Sequence, residues 1–245
     1  ERGWKGIAGA GLEDEIRKIA IPMRGRMVHA VDGNVSFQPY GKDDEAIYSV
    51  SRGGINMKLM DLAELQEGVQ LYFNYRCDHV DLEKGLMTFE TSSGKTEIQS
   101  DLIFGADGAF SALRHAMQFT DRFDYSQTYI EHSYKELCIE ANADGSFKME
   151  KNALHIWPRK NFMLIALPNL DGSFTCTLFF QFGGPLSFTS IKTESDCENF
   201  FKTYFPEAIE LIPEYKQQFF SNPTSSLHTV RCYPWVYKNK AALIG

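Results

Sequence analysis

Arg26 and Tyr40 flank the short stretch MVHAVDGNVSFQP, and together they could grip a carboxylate. A guanidinium offers two parallel N–H donors to a carboxylate and a phenol can add a third hydrogen bond, so the pair suits a small acidic molecule. Whether they meet depends on the turn between them. Alternation around Asp32-Gly33-Asn34 predicts a β-hairpin. A three-residue loop pairs Val31 with Val35, Met27 with Pro39 and His29 with Phe37, and sets Arg26 opposite Tyr40, whereas a two-residue loop separates them. The three-residue loop is expected, because it gathers more apolar side chains on one face. The alternative for the pair is a surface arginine beside a strand tyrosine.

A second constellation is LIFGADGAFSALR, residues 102–114. It reads as a buried strand stopping at Gly105, a turn through Asp107 and Gly108, and a helix beginning near Ser111. Such a corner can present free backbone N–H groups to an anionic ligand. An aspartate that merely caps the following helix gives the same pattern. A third is the pair of segments FMLIALP and SFTCTLFFQF. By parity Met163, Ile165 and Leu167 share one face of a strand, as do Thr177 and Phe179 on the next, with Leu154 nearby. These residues form either an apolar pocket with a few polar points or the core of a sheet.

Other chemistry is not indicated. Five cysteines are an odd number, lie far apart and never form CxxC, and the six histidines lack metal-ligand spacing. No nucleophile, metal or triad is offered, so the list of catalytic residues is empty. The balance of 25 Lys+Arg against 32 Asp+Glu, with no basic stripe, argues against a nucleic-acid partner. No apolar run approaches the roughly 20 residues that a membrane span requires, and no signal peptide is read. A reducing cytoplasm is the expected location, with a membrane anchor elsewhere left open.

The elements that must position these residues follow from periodicity. The chain opens in a helix with no start signal and closes on the apolar strand AALIG, which suggests a fragment. Ser51 is a plausible N-cap for a helix carrying Ile55, Leu59, Leu62 and Leu65 and stopping at Gly68. VQLYFNY reads as a strand, followed by a hairpin from Cys77 to Thr91. Beyond Phe119 the texture turns to alternating aromatic-rich strands, with a turn at 169–172, as in an antiparallel sheet. Helical pieces between Glu194 and Phe220 are broken by Pro206 and Pro213.

GADG followed by Ser111, Leu113 and Arg114 resembles the second fingerprint of the flavin-dependent aromatic hydroxylases. IPMRGRMVH, PYG, SVSR, RFDYSQTYI, LHIWPR, FMLIALPN, SFTCTLFF and YFPEAI are similar, in order and spacing, to the kynurenine-hydroxylating group of that family, over essentially the whole chain. The resemblance implies FAD as cofactor, NADPH as co-substrate, molecular oxygen, and hydroxylation of L-kynurenine at ring position 3 in tryptophan degradation. It matches Arg26 and Tyr40 to the carboxylate-binding pair, and Leu154, Met163, Ile165, Leu167, Thr177 and Phe179 to the kynurenine pocket. Arg52, Cys77, Asp107, Gly108 and Ala112 fall where the family touches FAD, Cys77 and Ala112 through backbone.

The implied fold is α/β with α+β character. It comprises a partial Rossmann-like FAD-binding domain (1–22, 46–117 and 235–245) and an antiparallel or mixed β-sheet substrate domain (23–45 and 118–234). The family's GxGxxG and Gly-Asp motifs are not in this sequence, and the glycines of GIAGAGLED have the wrong spacing. FAD binding by this stretch alone is therefore left open, and the stretch in isolation is expected to be inactive. Two other functions stay open: a catalytically silent ligand-binding domain, and a flavin hydroxylase for another aromatic carboxylate.

Overall fold

The opening helix is interrupted where Gly11 adopts a positive φ of 71°, giving α1 (Arg2–Gly9) and α2 (Glu13–Arg17). The computed structural model describes residues 2–42 and 45–245; Glu1, Asp43 and Asp44, which fall within the spans expected above, lie outside the described residues. Strands β1 (Ile21–Met23), β2 (Gly25–His29), β3 (Val35–Pro39) and β4 (Ile47–Ser49) follow. β1 pairs with β4, and β2 with β3, both antiparallel. Helix α3 (Arg52–Glu64) starts as expected, with the Ser51 hydroxyl accepting from the Gly54 N–H at 3.2 Å. Residues 69–75, expected as a strand, have no regular structure, because no strand pairs with them among the described residues.

The expected hairpin after Cys77 is a three-stranded antiparallel sheet: β5 (Arg76–Asp81), β6 (Leu86–Thr91) and β7 (Gly94–Gln99). The Asp107 corner lies between β8 (Ile103–Gly105) and α4 (Ala112–Met117). The long β9 (Asp124–Ile139) leads to β10 (Ala153–Arg159), β11 (Phe162–Pro168) and β12 (Phe174–Gln181). Helices α5 (Glu194–Tyr204), α6 (Pro206–Leu211) and α7 (Tyr215–Ser221) come next, separated at the two prolines. Pro206 is tolerated because it occupies the first turn of α6, where its missing N–H would be unpaired anyway. The chain ends in β13 (Thr224–Tyr233), β14 (Val236–Tyr237) and β15 (Ala241–Leu243).

The chain divides into two compact units, 1–66 with 131–227 and 67–130 with 228–245. Residues of 1–22 and 46–66, expected with the nucleotide-binding part, go with the large sheet. The reason is local: β1 pairs with β4, and the buried Ser49 hydroxyl donates to the Pro168 carbonyl of β11 at 2.8 Å.

The large sheet has the order β13-β9-β12-β11-β10-β2-β3. From β9 to β10 its pairs are antiparallel, β2 joins β10 parallel, and β3 returns antiparallel. One face of the first unit's strands carries Leu137, Trp157, Leu164, Cys176, Leu178 and Phe180, each at most 2 % exposed. Helices α5 to α7 cover that face with Phe200, Phe201, Phe205 and Phe219, and the Phe180 and Phe200 rings lie 4.9 Å apart. The smaller unit has its own core of Val80, Leu82, Ile103, Leu113, Met117 and Ala241, over which β8 and β15 run parallel. Among the described residues no helix is long and apolar enough to cross a membrane.

Candidate functional site

The β2–β3 turn does have three residues, but they are Val31-Asp32-Gly33. The Ala30 N–H donates to the Asn34 carbonyl at 2.9 Å, and Asp32 accepts from both the backbone and the side-chain amide of Asn34. This local capping shifts the register by two from the expected one: Met27 faces Phe37, His29 faces Val35, and Arg26 faces Gln38 rather than Tyr40. Tyr40 is instead held by its N–H to the Arg24 carbonyl at 3.0 Å. Arg26 and Tyr40 nevertheless share a face and meet diagonally, the guanidinium carbon 5.3 Å from the ring centroid.

That face is the one the helices leave uncovered. Ladder pairs run Val28–Ile156–Ile165–Thr177–Glu136 across β2, β10, β11, β12 and β9, with Pro158–Met163–Phe179–Tyr134 alongside. Arg26 is paired to Leu154 on its other side. Leu154, Ile165, Leu167, Thr177 and Phe179 are half-buried and Met163 is 38 % exposed, so none belongs to the core. Of the two readings open for these residues, the core is excluded: their neighbours at 164, 166, 176 and 178 are the core. The register thus brings Arg26, Tyr40, Leu154, Met163, Ile165, Leu167, Thr177 and Phe179 onto one apolar floor. Parity alone did not single out Ile156, Tyr134 and Glu136, which share it.

The second unit contains the Asp107 corner. Gly108 has a φ of 75°, which glycine adopts without strain. Asp107 Oδ2 accepts from the Ala112 N–H at 2.8 Å and the Leu113 N–H at 3.4 Å, and Ser111 Oγ takes the Arg114 N–H at 2.9 Å. The first N–H groups of α4 are therefore occupied by protein side chains, not left for an anion. Of the two readings open for this corner, the aspartate as cap of the following helix is the one these hydrogen bonds show. The N–H groups of Gly108 and Ala109, by contrast, have no partner among the described residues.

Asp107 and Gly108 line a cavity of about 520 Å³ at the carboxyl ends of parallel β8 and β15, where open α/β sheets bind ligands. Arg114 is buried beneath it, donating to the carbonyls of Gly108 and Ala109, while its Nε has no hydrogen-bond partner among the described residues. His228, Arg231 and Trp235 also line this cavity. Sequence reasoning missed them, since strand alternation in LHTVRCYPWVY does not say which face meets a cavity. A dinucleotide fits this donor set: unpaired backbone N–H groups, arginine and aromatic faces in one concavity.

Of the other expected cofactor residues, Ala112 lines a neighbouring cavity of about 740 Å³. Cys77 is half-buried in β5, its thiol pushed up from its ordinary value by burial and by the charges of Asp107 and Asp78. That disfavours thiolate chemistry and leaves a backbone role. Arg52 lies in the first unit, exposed at the first position of α3. Among the described residues no group of three or more His, Cys, Asp and Glu side chains could hold a metal.

No family model matches the chain. Proteins named kynurenine 3-monooxygenase from Christiangramia forsetii and Flavobacterium johnsoniae are 52% and 51% identical over 246 residues, covering 100% of this chain and 55% of each relative. One of the same name from Dictyostelium discoideum is 48% identical, with 100% of this chain and 53% of the relative covered. The chain thus spans about half the length of the curated relatives it matches. Among solved structures, 2-methyl-3-hydroxypyridine-5-carboxylic acid oxygenase has a TM-score of 0.73 at 18% identity, covering 99% of this chain and 62% of the other. Klebsiella pneumoniae HpxO, complexed with FAD and uric acid, has a TM-score of 0.71 at 17% identity, covering 99% and 61%. The fold is the one these two structures share.

Proposed function

From its homology along its whole length to the kynurenine 3-monooxygenases, we propose that this chain supplies the substrate floor and part of the flavin cradle of an enzyme that hydroxylates L-kynurenine at ring position 3. The observation that carries the reading is the Arg26–Tyr40 contact at one edge of an uncovered apolar sheet face. An aromatic amino acid has a carboxylate for one end of such a surface and a flat ring for the rest.

Each residue then has a task. The Arg26 guanidinium binds the carboxylate with two donors, and the Tyr40 hydroxyl adds a third. Leu154, Met163, Ile165, Leu167 and Phe179 seat the ring and exclude water, while Thr177 supplies a polar point among them. FAD, when bound, supplies the oxygen-transfer chemistry, with NADPH as the source of electrons. Asp107 and Gly108 would hold it at the cavity of the second unit, with Ala112 and the Cys77 backbone beside that corner. No side chain of this chain is assigned a proton-transfer or nucleophilic step.

The test uses the full polypeptide that carries this chain. It is expected to purify with flavin absorbance, to oxidise NADPH faster when kynurenine is present, and to yield 3-hydroxykynurenine. A flavin-loaded protein whose NADPH oxidation ignores kynurenine would sink the reading.

A further inference from the structure

We propose that Glu136 reads the aromatic amine of the substrate, accepting a hydrogen bond from the ring –NH2 beside Thr177; the inference rests on the reading of the open face as the kynurenine floor. Glu136 and Arg26 stand on this face on opposite sides of β10, β11 and β12. With neighbouring strands ~4.8 Å apart, four spacings put the two backbones about 19 Å apart. Both side chains are long enough to reach inward, and what remains between them suits a one-ring amino acid lying across the strands. The row from Val28 through Ile156 and Ile165 is apolar until Thr177, and Glu136 is its last member.

The backbone of Glu136 is fixed, by the ladder to β12 and by the Asn222 side-chain amide donating to its carbonyl at 2.8 Å. Its carboxylate has no hydrogen-bond or ion-pair partner among the described residues, and the residue is exposed. An anionic acceptor held at the far end of an apolar floor selects for a donor. The α-ammonium of an amino acid cannot be that donor, because it sits one carbon from the carboxylate that Arg26 holds. The arylamine sits on the ring, separated from that carboxylate by the whole side chain. A neutral arylamine is a good N–H donor, and a hydrogen bond to a carboxylate pushes electron density into the ring carbon next to it, the carbon to be hydroxylated. Hydrogen in place of the amine leaves that acceptor without a partner, so the carboxylate separates the arylamine from its des-amino analogue.

The experiment compares kynurenine with its analogue bearing hydrogen in place of the ring amine, on the flavin-loaded full-length enzyme. Wild type is expected to bind kynurenine at least about tenfold more tightly than the des-amino analogue, the size of one charge-assisted hydrogen bond. Glu136→Gln and Glu136→Ala are expected to erase most of that preference in kcat/KM, at unchanged flavin content. Glu136→Asp should restore part of it. Equal wild-type affinities for kynurenine and the des-amino analogue overturn the proposal without any variant, and so does an undiminished preference in flavin-loaded Glu136→Gln. If Arg26→Ala leaves kynurenine binding unchanged, the floor itself is wrongly assigned, a separate failure.

Discussion

The Arg26 guanidinium stacks 5.3 Å from the Tyr40 ring centroid although the residue directly across the hairpin from Arg26 is Gln38. The contact is diagonal, so it holds the arginine while leaving the fork of N–H donors at its tip unpaired among the described residues. Replacing Arg26 by Lys keeps the charge but loses the second parallel donor. Kynurenine affinity should fall roughly ten- to hundredfold, about 1.5–3 kcal/mol, with flavin content intact. Tyr40→Phe keeps the ring under the guanidinium and should cost less, about 1 kcal/mol. Titration of the flavin-loaded enzyme checks both, and unchanged affinity in Arg26→Lys would remove that residue from the site.

The two faces of β11 and β12 should separate stability from binding. Leu178 is fully buried beneath the helices, and Leu178→Ala should cost about 2–5 kcal/mol through the cavity it leaves. Ile165 is paired to Thr177 on the open face, where truncation removes surface that was never fully buried. Ile165→Ala should cost only about 1 kcal/mol in denaturant unfolding yet raise the KM for kynurenine. Similar stability losses at the two positions would mean that the open face is packed as core.

What the sequence made legible was periodicity. Parity put Met163, Ile165 and Leu167 on one face and Thr177 with Phe179 on one face, and both groupings hold. Parity could not say which face the helices would cover, since both are apolar and only the Phe200–Phe219 cluster decides it. The hairpin register failed by two for a local reason that recurs. Val31-Asp32-Gly33, Ala143-Asp144-Gly145 and Leu170-Asp171-Gly172 build the same turn, with glycine φ of 84°, 79° and 87° and the aspartate accepting from the N–H of the residue after the glycine. An Asp-Gly followed by Asn or Ser therefore fixes the register in this chain, a signal the alternation of Met27 and Phe37 does not carry. The segment 69–75 misled in the other direction: LYFNY has strand composition, but a strand exists only with a partner. No substrate-site residue is placed by that segment.

Asp107 carries a structural task as well as its proposed cofactor role, and the two are separable. Its Oδ2 accepts from the Ala112 and Leu113 N–H groups, so Asp107→Ala should weaken the start of α4 by about 1 kcal/mol and speed hydrogen exchange at those two amides. Asp107→Asn keeps an acceptor and should preserve exchange protection. If the residue also serves the flavin site, both variants should lower flavin occupancy. Full occupancy in Asp107→Asn with normal protection would leave it a cap alone.

His29 should make the first unit sensitive to mild acid. Its ring stacks on Trp157 at 4.1 Å, and its Nε2 lies 3.0 Å from Nδ1 of His155. His155 Nε2 lies 2.8 Å from the Glu150 carbonyl, which can only accept, so His155 Nδ1 must accept in turn and His29 Nε2–H must donate. Burial, then the neighbouring His155 and the Arg159 charge, hold His29 down at about 4, and burial lowers His155 as well. A base whose folded value lies below its unfolded one is neutral in both states at high pH and costs nothing there. As pH falls through 6.5 the unfolded chain takes up the proton first, so stability is lost progressively down to about pH 4. Between about pH 7 and pH 5 the loss from His29 should be roughly 1–2 kcal/mol. His29→Gln keeps a donor toward His155 but cannot titrate, so urea unfolding of this variant should be flatter in that window. Equal slopes in the two proteins would show that the buried pair does not set the acid sensitivity.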